Sequence, residues 1–304
     1  MLIDIVIVNW NSGNQLEDCV YSILAHGDGL VSRAIIIDNG SCDNSPDAVD
    51  NLSIVDLVRT GKNLGFGKAC NVGASRGSAE FILFLNPDTR LYPQTLSDTI
   101  AFMNDPKASS VGICGVQLLD EAGDVARSCS RAPTIGRLIA RALGIDLILP
   151  KLGCRMTEWD HAQSQQVDQV IGAYFFMRRS VFEALGGFDE RFFVYFEEVD
   201  LARRAAKAGW TSWYLASSRA FHAGGGTSHQ VKAHRLFYSL RSRLQYASKH
   251  FSVPGIAIVG AATLLVEPVA RGCQALLRGR VREVREILAG YRWLLAWLAG
   301  NRTR

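Results

Sequence analysis

FILFLNPDTRL (residues 81–91) carries the reading of the fold. Its first five residues are apolar without alternation, the pattern of a short strand covered on both faces of a parallel sheet. Pro87 has no N–H to give to a ladder, so the strand stops there. A carboxylate, Asp88, stands at its C-terminal mouth. Aspartate is common in turns, but the carboxyl ends of strands in open α/β sheets are also where ligands bind. What else the chain brings to that edge decides between the two.

Upstream, LIDIVIVNW (2–10), RAIIIDNGS (33–41) and SIVDLVRT (53–60) read as strands by β-branched content and length. After the first, Leu16, Cys19, Val20, Ile23 and Leu24 form a helical stripe, with Ser12 and Gln15 at capping-box spacing. Pro93 opens a helix from Gln94 to Met103. Strand alternating with helix predicts an α/β chain with a doubly wound, mainly parallel sheet. Right-handed crossovers then bring Asn9, Asp38 and Asp88 to one edge.

Further along, QVIGAYFFMRR (169–179) reads as one strand and YFEEVDLARRAAKAGW (195–210) as containing a helix. Periodicity weakens over 133–166, a variable insertion with helical character at Ile135 to Leu143. Helices are expected over 231–249, 256–277 and 281–299. The run 251–266 is uncharged over 16 positions, short of the roughly 20 a bilayer span needs, so a buried or interfacial helix is expected there.

Of the 304 residues, 48% are hydrophobic and 20% charged, the balance of a folded globular protein. The 7 cysteines include no C-x-x-C pair, which argues against a zinc ribbon or a disulfide framework and favours a reducing compartment. The N-terminus lacks a basic n-region and a small-residue cleavage site, so no signal peptide is expected. The net charge of +4 hides an asymmetry: residues 1–125 carry 16 acidic against 7 basic side chains, whereas the last 75 carry 13 basic against 3 acidic. Nucleic acid is one partner for such a tail, but its basic residues are interleaved with long apolar runs, which suits a membrane surface better. A dimer interface is the alternative use of those helices.

Three motifs remain. The glycine-rich loop GKNLGFGKACNVG is not a P-loop, because Gly61 to Gly67 is one residue too long and Ala69 follows Lys68. Nor is it a dinucleotide fingerprint, because Cys70 stands at the third glycine position. What it offers is Lys62, Asn63, Gly65, Lys68 and Asn71, side chains and backbone that can meet an anionic or sugar ligand. YFEEVDL places Glu197, Glu198 and Asp200 within four residues. Acids favour helix starts, but the flanks here are aromatic, so one carboxylate in a dry cleft with a raised pKa can serve as a base. FHAGGGTS (221–228) puts His222 after a strand and before flexible glycines. Asp88 and His222 are fitting partners for a divalent cation.

In combination and order, VIVNWN, IIDNGS, NLGFGKACNVG, FLNPDT, GAYFFMRRSVFEALGGFDERFFVYFEEVDLARRAAKAGW and HAGGGTS resemble the family 2 glycosyltransferases of the GT-A fold, in their rhamnosyltransferase-like branch. The resemblance covers residues 2 to about 245. It implies a GT-A nucleotide-sugar-binding and catalytic domain over 1–245 and a basic amphipathic helical region over 246–304. By position, Asn9 and Asp38 would contact the nucleoside. Asn86-Pro87-Asp88 corresponds to the family's D-x-D-type element, with Asp88 and His222 on Mg²⁺ or Mn²⁺. The base position falls on Glu198. The chain departs from the family pattern in having one carboxylate in its metal motif and Glu instead of Asp at the base, so Glu198, Glu197 and Asp200 all stay candidates.

The implied reaction is metal-assisted inverting transfer of a sugar, rhamnose first, from a dTDP- or UDP-sugar to a glycan or lipid-linked glycan. The basic amphipathic tail motivates a further expectation, a cytoplasmic protein attached peripherally to the inner face of the cell membrane and a lipid-linked acceptor. The alternatives are a nucleotide-sugar-binding protein without turnover, the base having become Glu, and a nucleotidyltransferase. The latter lacks a basic glycine-rich loop after the first strand.

Overall fold

The computed structural model describes residues 2–224 and 232–300. In chain order the elements begin with β1 (Ile3–Asn9), α1 (Asn14–His26), β2 (Val31–Asp38), β3 (Val55–Arg59), α2 (Phe66–Ala74) and β4 (Phe81–Leu85). Then come β5 (Thr89–Leu91), α3 (Thr95–Asn104), β6 (Val111–Leu119), β7 (Cys129–Ser130) and α4 (Ile135–Leu143). Next are β8 (Gln165–Val167), β9 (Gln169–Val170), β10 (Tyr174–Arg178), α5 (Arg179–Ala184), α6 (Glu197–Lys207) and β11 (Thr211–His222). The C-terminal helices are α7 (Lys232–His250), α8 (Val253–Ala261), α9 (Glu267–Leu277) and α10 (Val281–Leu298). A π-helical turn, Ala262–Val266, joins α8 to α9.

The chain divides into two compact units. The first holds the sheet and its flanking helices. Its strand order is β3-β2-β1-β4-β10-β6-β11-β5, with β8 paired to β11. The four strands read from the opening motifs are parallel, β1 lying between β2 and β4. Beyond β4 the sheet turns mixed, because β10 runs antiparallel to both β4 and β6. Side chains of β1 alternate between two cores. Ile3, Ile5 and Ile7 face Leu16, Val20 and Ile23 of α1, while Val6 meets α2, where a Cβ on Gly73 would come within 2.4 Å of it.

The second unit consists of Arg131–Glu158, Val194–Phe196 and the helices from α7 onward. The boundary at 245 that the resemblance implies falls inside α7, and α7 groups with the tail helices.

Several local expectations are revised. The stretch 169–179 is two strands: β9 leaves to pair with β7, and the chain breaks at Ile171–Ala173 before β10. Ser12 does not cap α1. Its hydroxyl donates to Asn9 Oδ1, and Gly13 holds the cap position. Strand β6, in the centre of the sheet's second half, has no counterpart among the strands expected above. Its glycines look like breakers but are close-approach positions. A Cβ on Gly112 would lie 3.0 Å from Trp210 Cβ, and one on Gly115 2.8 Å from Val170.

Candidate active site

The parallel register Asn9↔Asp38 brings the two polar strand ends side by side. Asn9 is fully buried, and its Nδ2 lies 3.2 Å from Asp38 Oδ1 and 2.9 Å from Ser45 Oγ. Asn11 continues the clasp, with its N–H 3.0 Å from Ser41 Oγ and its Oδ1 accepting from Cys42 N–H at 2.7 Å. Asn9 is therefore a positioning group, which braces Asp38 and the loop after it from below.

The glycine-rich loop is gripped by Asn39, which sequence reasoning missed. Asn39 Nδ2 donates to Asn63 Oδ1 at 3.0 Å, and Asn39 Oδ1 accepts from Leu64 N–H at 2.7 Å. Asn63 Oδ1 also accepts from Gly65 N–H at 2.9 Å. Gly65 has φ 86° and ψ 163°, a region essentially confined to glycine, and a Cβ there would stand 2.5 Å from the Phe193 carbonyl oxygen. Gly65→Ala should therefore cost about 1–3 kcal/mol from backbone strain alone, and more from the clash. Gly61→Ala, also at positive φ but with open space around it, should cost the strain only. Urea midpoints of the two variants compare them.

Lys62 is exposed. Lys68 pairs with Glu190 at 2.9 Å. The Asn71 amide brackets the Phe188 backbone at 2.9 Å in both directions, so the half-buried side chain ties α2 to the segment before α6.

At the mouth of β4, Asn86 N–H donates to the Ala173 carbonyl at 3.0 Å, which fixes the turn carrying Asp88. The antiparallel register His222↔Thr89 then delivers the histidine: its Nε2 lies 3.4 Å from Asp88 Oδ1. These two residues lie 134 positions apart in sequence, and the pairing of β5 with β11 is what joins them. A cavity of about 350 Å³ opens beside them, lined by Gln15, Asp18, Asp88, Arg90, Glu121 and Phe221. The Arg90 guanidinium lies 3.9 Å over the Phe221 ring. Gly225, Gly226, Thr227 and Ser228 of the histidine motif lie outside the described residues.

The acidic cluster occupies the first turn of α6. It is entered through Tyr195 and Phe196, both left-handed at φ 66° and 70°, the kind of backbone strain that collects at functional sites. Glu197 is buried, and its pKa is pushed well up by loss of water and by Glu198 beside it. Glu198 is partly open to the surface, and loss of water raises its pKa too. The Oε2 atoms of both carboxyls have no hydrogen-bond partner. Gln169 Nε2 reaches Glu198 Oε1 only at 3.5 Å. Asp200 is different. It is fully buried and paired with Arg204 Nε at 2.7 Å, and the same guanidinium donates to the Leu185 and Gly187 carbonyls. The i,i+4 spacing of Asp200 and Arg204 on one helix was the available signal for that pairing.

Among the described residues no three His, Cys, Asp or Glu side chains gather into a cation cage. Asp88 and His222 nevertheless fit a cation that keeps water and takes its remaining oxygens from a substrate diphosphate, as Mg²⁺ does. The model of glycosyl transferase family 2 matches residues 4–186.

The chain belongs to glycosyl transferase family 2.

It is 32% identical over 242 residues to the N-acetylglucosaminyl-diphospho-decaprenol L-rhamnosyltransferase of Mycobacterium tuberculosis, covering 73% of this chain and 76% of that protein. To the rhamnosyltransferase WbbL of Escherichia coli it is 25% identical over 173 residues, covering 56% of this chain and 62% of that one. In architecture it is similar to the mannosyltransferase PcManGT from Pyrobaculum calidifontis, solved with GDP-Man and Mn²⁺. That match has a TM-score of 0.57 and 16% identity, covering 99% of this chain and 76% of the other. The first 349 residues of S. aureus TarS give a TM-score of 0.54 and 13% identity, covering 100% and 93%. The fold of this family 2 glycosyltransferase is accordingly the α/β GT-A type with a C-terminal helical region.

Proposed function

We propose that this glycosyltransferase moves rhamnose from a nucleotide-diphosphate sugar, dTDP-rhamnose before UDP-sugars, to a lipid-linked glycan by a single inverting displacement. The sugar and the acceptor class rest on likeness to the M. tuberculosis rhamnosyltransferase. The observation that carries the mechanism is the chemistry of the α6 start: two adjacent carboxyls, both raised in pKa, each with an unpartnered oxygen.

Adjacent carboxyls away from water do not both ionise readily. Glu197, the more buried, keeps the proton. Glu198, whose pKa is raised less strongly than that of Glu197, is the ionised member and takes the proton of the attacking acceptor hydroxyl. A raised pKa makes it a stronger base than an ordinary carboxylate. Asp200 holds Arg204, and through it the Leu185–Gly187 turn, and takes no proton. At the other side of the reaction, Asp38 meets the nucleoside, with Lys62 and the Asn63–Gly65 loop beside it. Asp88 and His222 would hold Mg²⁺ or Mn²⁺, which when bound offsets the charge that develops on the departing nucleoside diphosphate. One base opposite the leaving group gives inversion.

The test is release of dTDP from dTDP-rhamnose on addition of a polyprenyl-diphosphate-linked N-acetylglucosamine. Acceptor-dependent release with an inverted anomeric product is the expected result. Nucleotide binding without release under any acceptor would leave a binding protein. Pyrophosphate from a nucleoside triphosphate and a sugar phosphate would point to nucleotidyl transfer instead.

A further inference from the structure

The helix from Val253 to Leu277 turns Glu267 and Arg271 inward, beside the buried Val259 and Ala275, and leaves large apolar side chains exposed. A surface helix in water turns its apolar stripe to the core and its charges outward. Here the charges turn inward. Glu267 is fully buried and accepts from Arg243 and from Arg271, the latter through Nε at 2.8 Å. Both arginines hold its pKa below the ordinary carboxylate value against the opposing effect of burial. The outward face carries Ile258, Leu265, Val269 and Leu276, exposed by 47, 70, 63 and 59%. Leu265, Val269 and Leu276 recur at four- and seven-residue steps, one stripe along the helix, and the π-helical turn sets Ile258 apart from them in phase.

Two further observations choose what covers that stripe. Immediately after it come Arg278, Arg280, Arg282 and Arg285, all exposed. Beside the same helix end lies a groove of about 500 Å³ lined by Leu143, Leu147 and Leu277, with Arg278 at its edge; its other arginines, Arg141 and Arg271, are paired with Asp146 and Glu267. Ile148, next in the chain, is 82% exposed. Apolar side chains for acyl chains, with guanidiniums at their edge for phosphate, are the complement of a headgroup boundary. A second copy fits poorly, because an isologous contact sets the same patch against itself. The last 75 residues hold 13 basic and 3 acidic side chains, so arginine would face arginine.

By length and composition the 25-residue helix, with a mean hydropathy of 1.8 in its most apolar window, suffices to cross a membrane. Its inner face is instead packed against α7 and α10 and tied to α7 through the buried Glu267–Arg243 pair.

We propose that the outward face of α8 and α9 docks into the headgroup region of a bilayer containing anionic phospholipid. The proposal concerns a surface and stands apart from the donor and base assignments. It goes beyond attraction of a basic tail, because the apolar stripe is required.

The test uses the full chain and vesicles of phosphatidylcholine alone or with phosphatidylglycerol. The wild type should sediment with the mixed vesicles and far less with phosphatidylcholine. Leu265→Glu with Val269→Glu should weaken sedimentation at least about ten-fold, since two exposed apolar side chains are withdrawn from the boundary. Arg282→Gln and Arg285→Gln should each weaken it about five-fold at low salt and less at high salt. Unfolding midpoints and turnover on a soluble acceptor should stay at the wild-type value in all four substitutions, because the side chains are exposed. Three results overturn the proposal: no sedimentation of the wild type, undiminished sedimentation of the Leu265/Val269 variant, or a wild-type dimer that Leu265→Glu dissolves.

Discussion

Glu198→Gln is expected to lower turnover about 10²–10⁴-fold, the range a positioned general base supplies, and to leave donor binding unchanged. The amide keeps the shape of the carboxyl but accepts no proton, so the loss appears in kcat and not in the affinity for the nucleotide sugar. Glu197→Gln, which imitates a carboxyl already protonated, keeps turnover within about ten-fold of the wild type on the same scale of effects. The reverse outcome, a dead Glu197→Gln and an active Glu198→Gln, would exchange the two roles.

The pH dependence follows from the direction of the shifts. A base works ionised, so activity is lost as pH falls through its pKa, and a raised pKa moves that loss above the acid range of an ordinary glutamate at about 4.3. The stability sign is opposite to that of a salt-bridged carboxylate. With both pKa values raised on folding, the folded state holds more protons than the unfolded state between the ordinary and the raised values. Stability from this source is fully present below the unfolded pKa and is lost as pH rises through the folded pKa. Both Gln variants should therefore unfold at a higher temperature than the wild type at neutral pH, even where activity falls.

Arg179→Ala is expected to cost about 3–5 kcal/mol of stability, the range for stripping one partner from a buried ion pair. Arg179 Nη2 lies 2.7 Å from Asp4 Oδ2, and Asp4 is fully buried in β1. The same guanidinium donates to the Ala79 carbonyl at 2.5 Å and the Ala74 carbonyl at 2.9 Å, joining the first strand, the end of α2 and the start of α5. Its removal leaves two carbonyls without their donor and the buried carboxylate with only the half-exposed Arg33, 3.9 Å away, and the Ala79 N–H. Arg179→Met with Asp4→Leu should recover most of the loss, because a buried pair is often no better than apolar residues of similar volume. The midpoint of urea unfolding reports both. A single variant within about 0.5 kcal/mol of the wild type, the range of ordinary surface changes, would remove the pair from the list of what holds the sheet together.

This pair also marks where the sequence stops being legible. Strands β1 to β4 declare themselves because each is a local run of apolar residues with a turn signal behind it. Their parallel arrangement follows from the helices between them. Asp88 was visible for the same reason, as a polar residue placed where such a strand must end. The Asp4–Arg179 pair spans 175 positions, and nothing near either residue announces the other. Strand β6 hid behind Gly112 and Gly115, whose role is to admit Trp210 and Val170. The break inside 169–179 depends on β7 drawing β9 away, a tertiary choice that local apolar content does not record. At the site, residue types were readable but their employment was not. Asn9 and Asn71 read as ligand groups in a motif, and the fold also employs both as brackets, while Asn39 reads as a turn residue and holds the glycine-rich loop.

The measurement that bears most directly on the proposed donor site is thermal unfolding with dTDP, UDP and their sugars, in Mn²⁺ and in chelator, for the wild type and Asp88→Ala. A ligand at one hundred times its dissociation constant adds about 2.7 kcal/mol. Stabilisation of that size in Mn²⁺, absent in chelator and absent in Asp88→Ala, is the predicted result. Equal stabilisation of the wild type and Asp88→Ala, or none of either by any nucleotide, would reduce Asp88 to a turn residue and contradict the donor site.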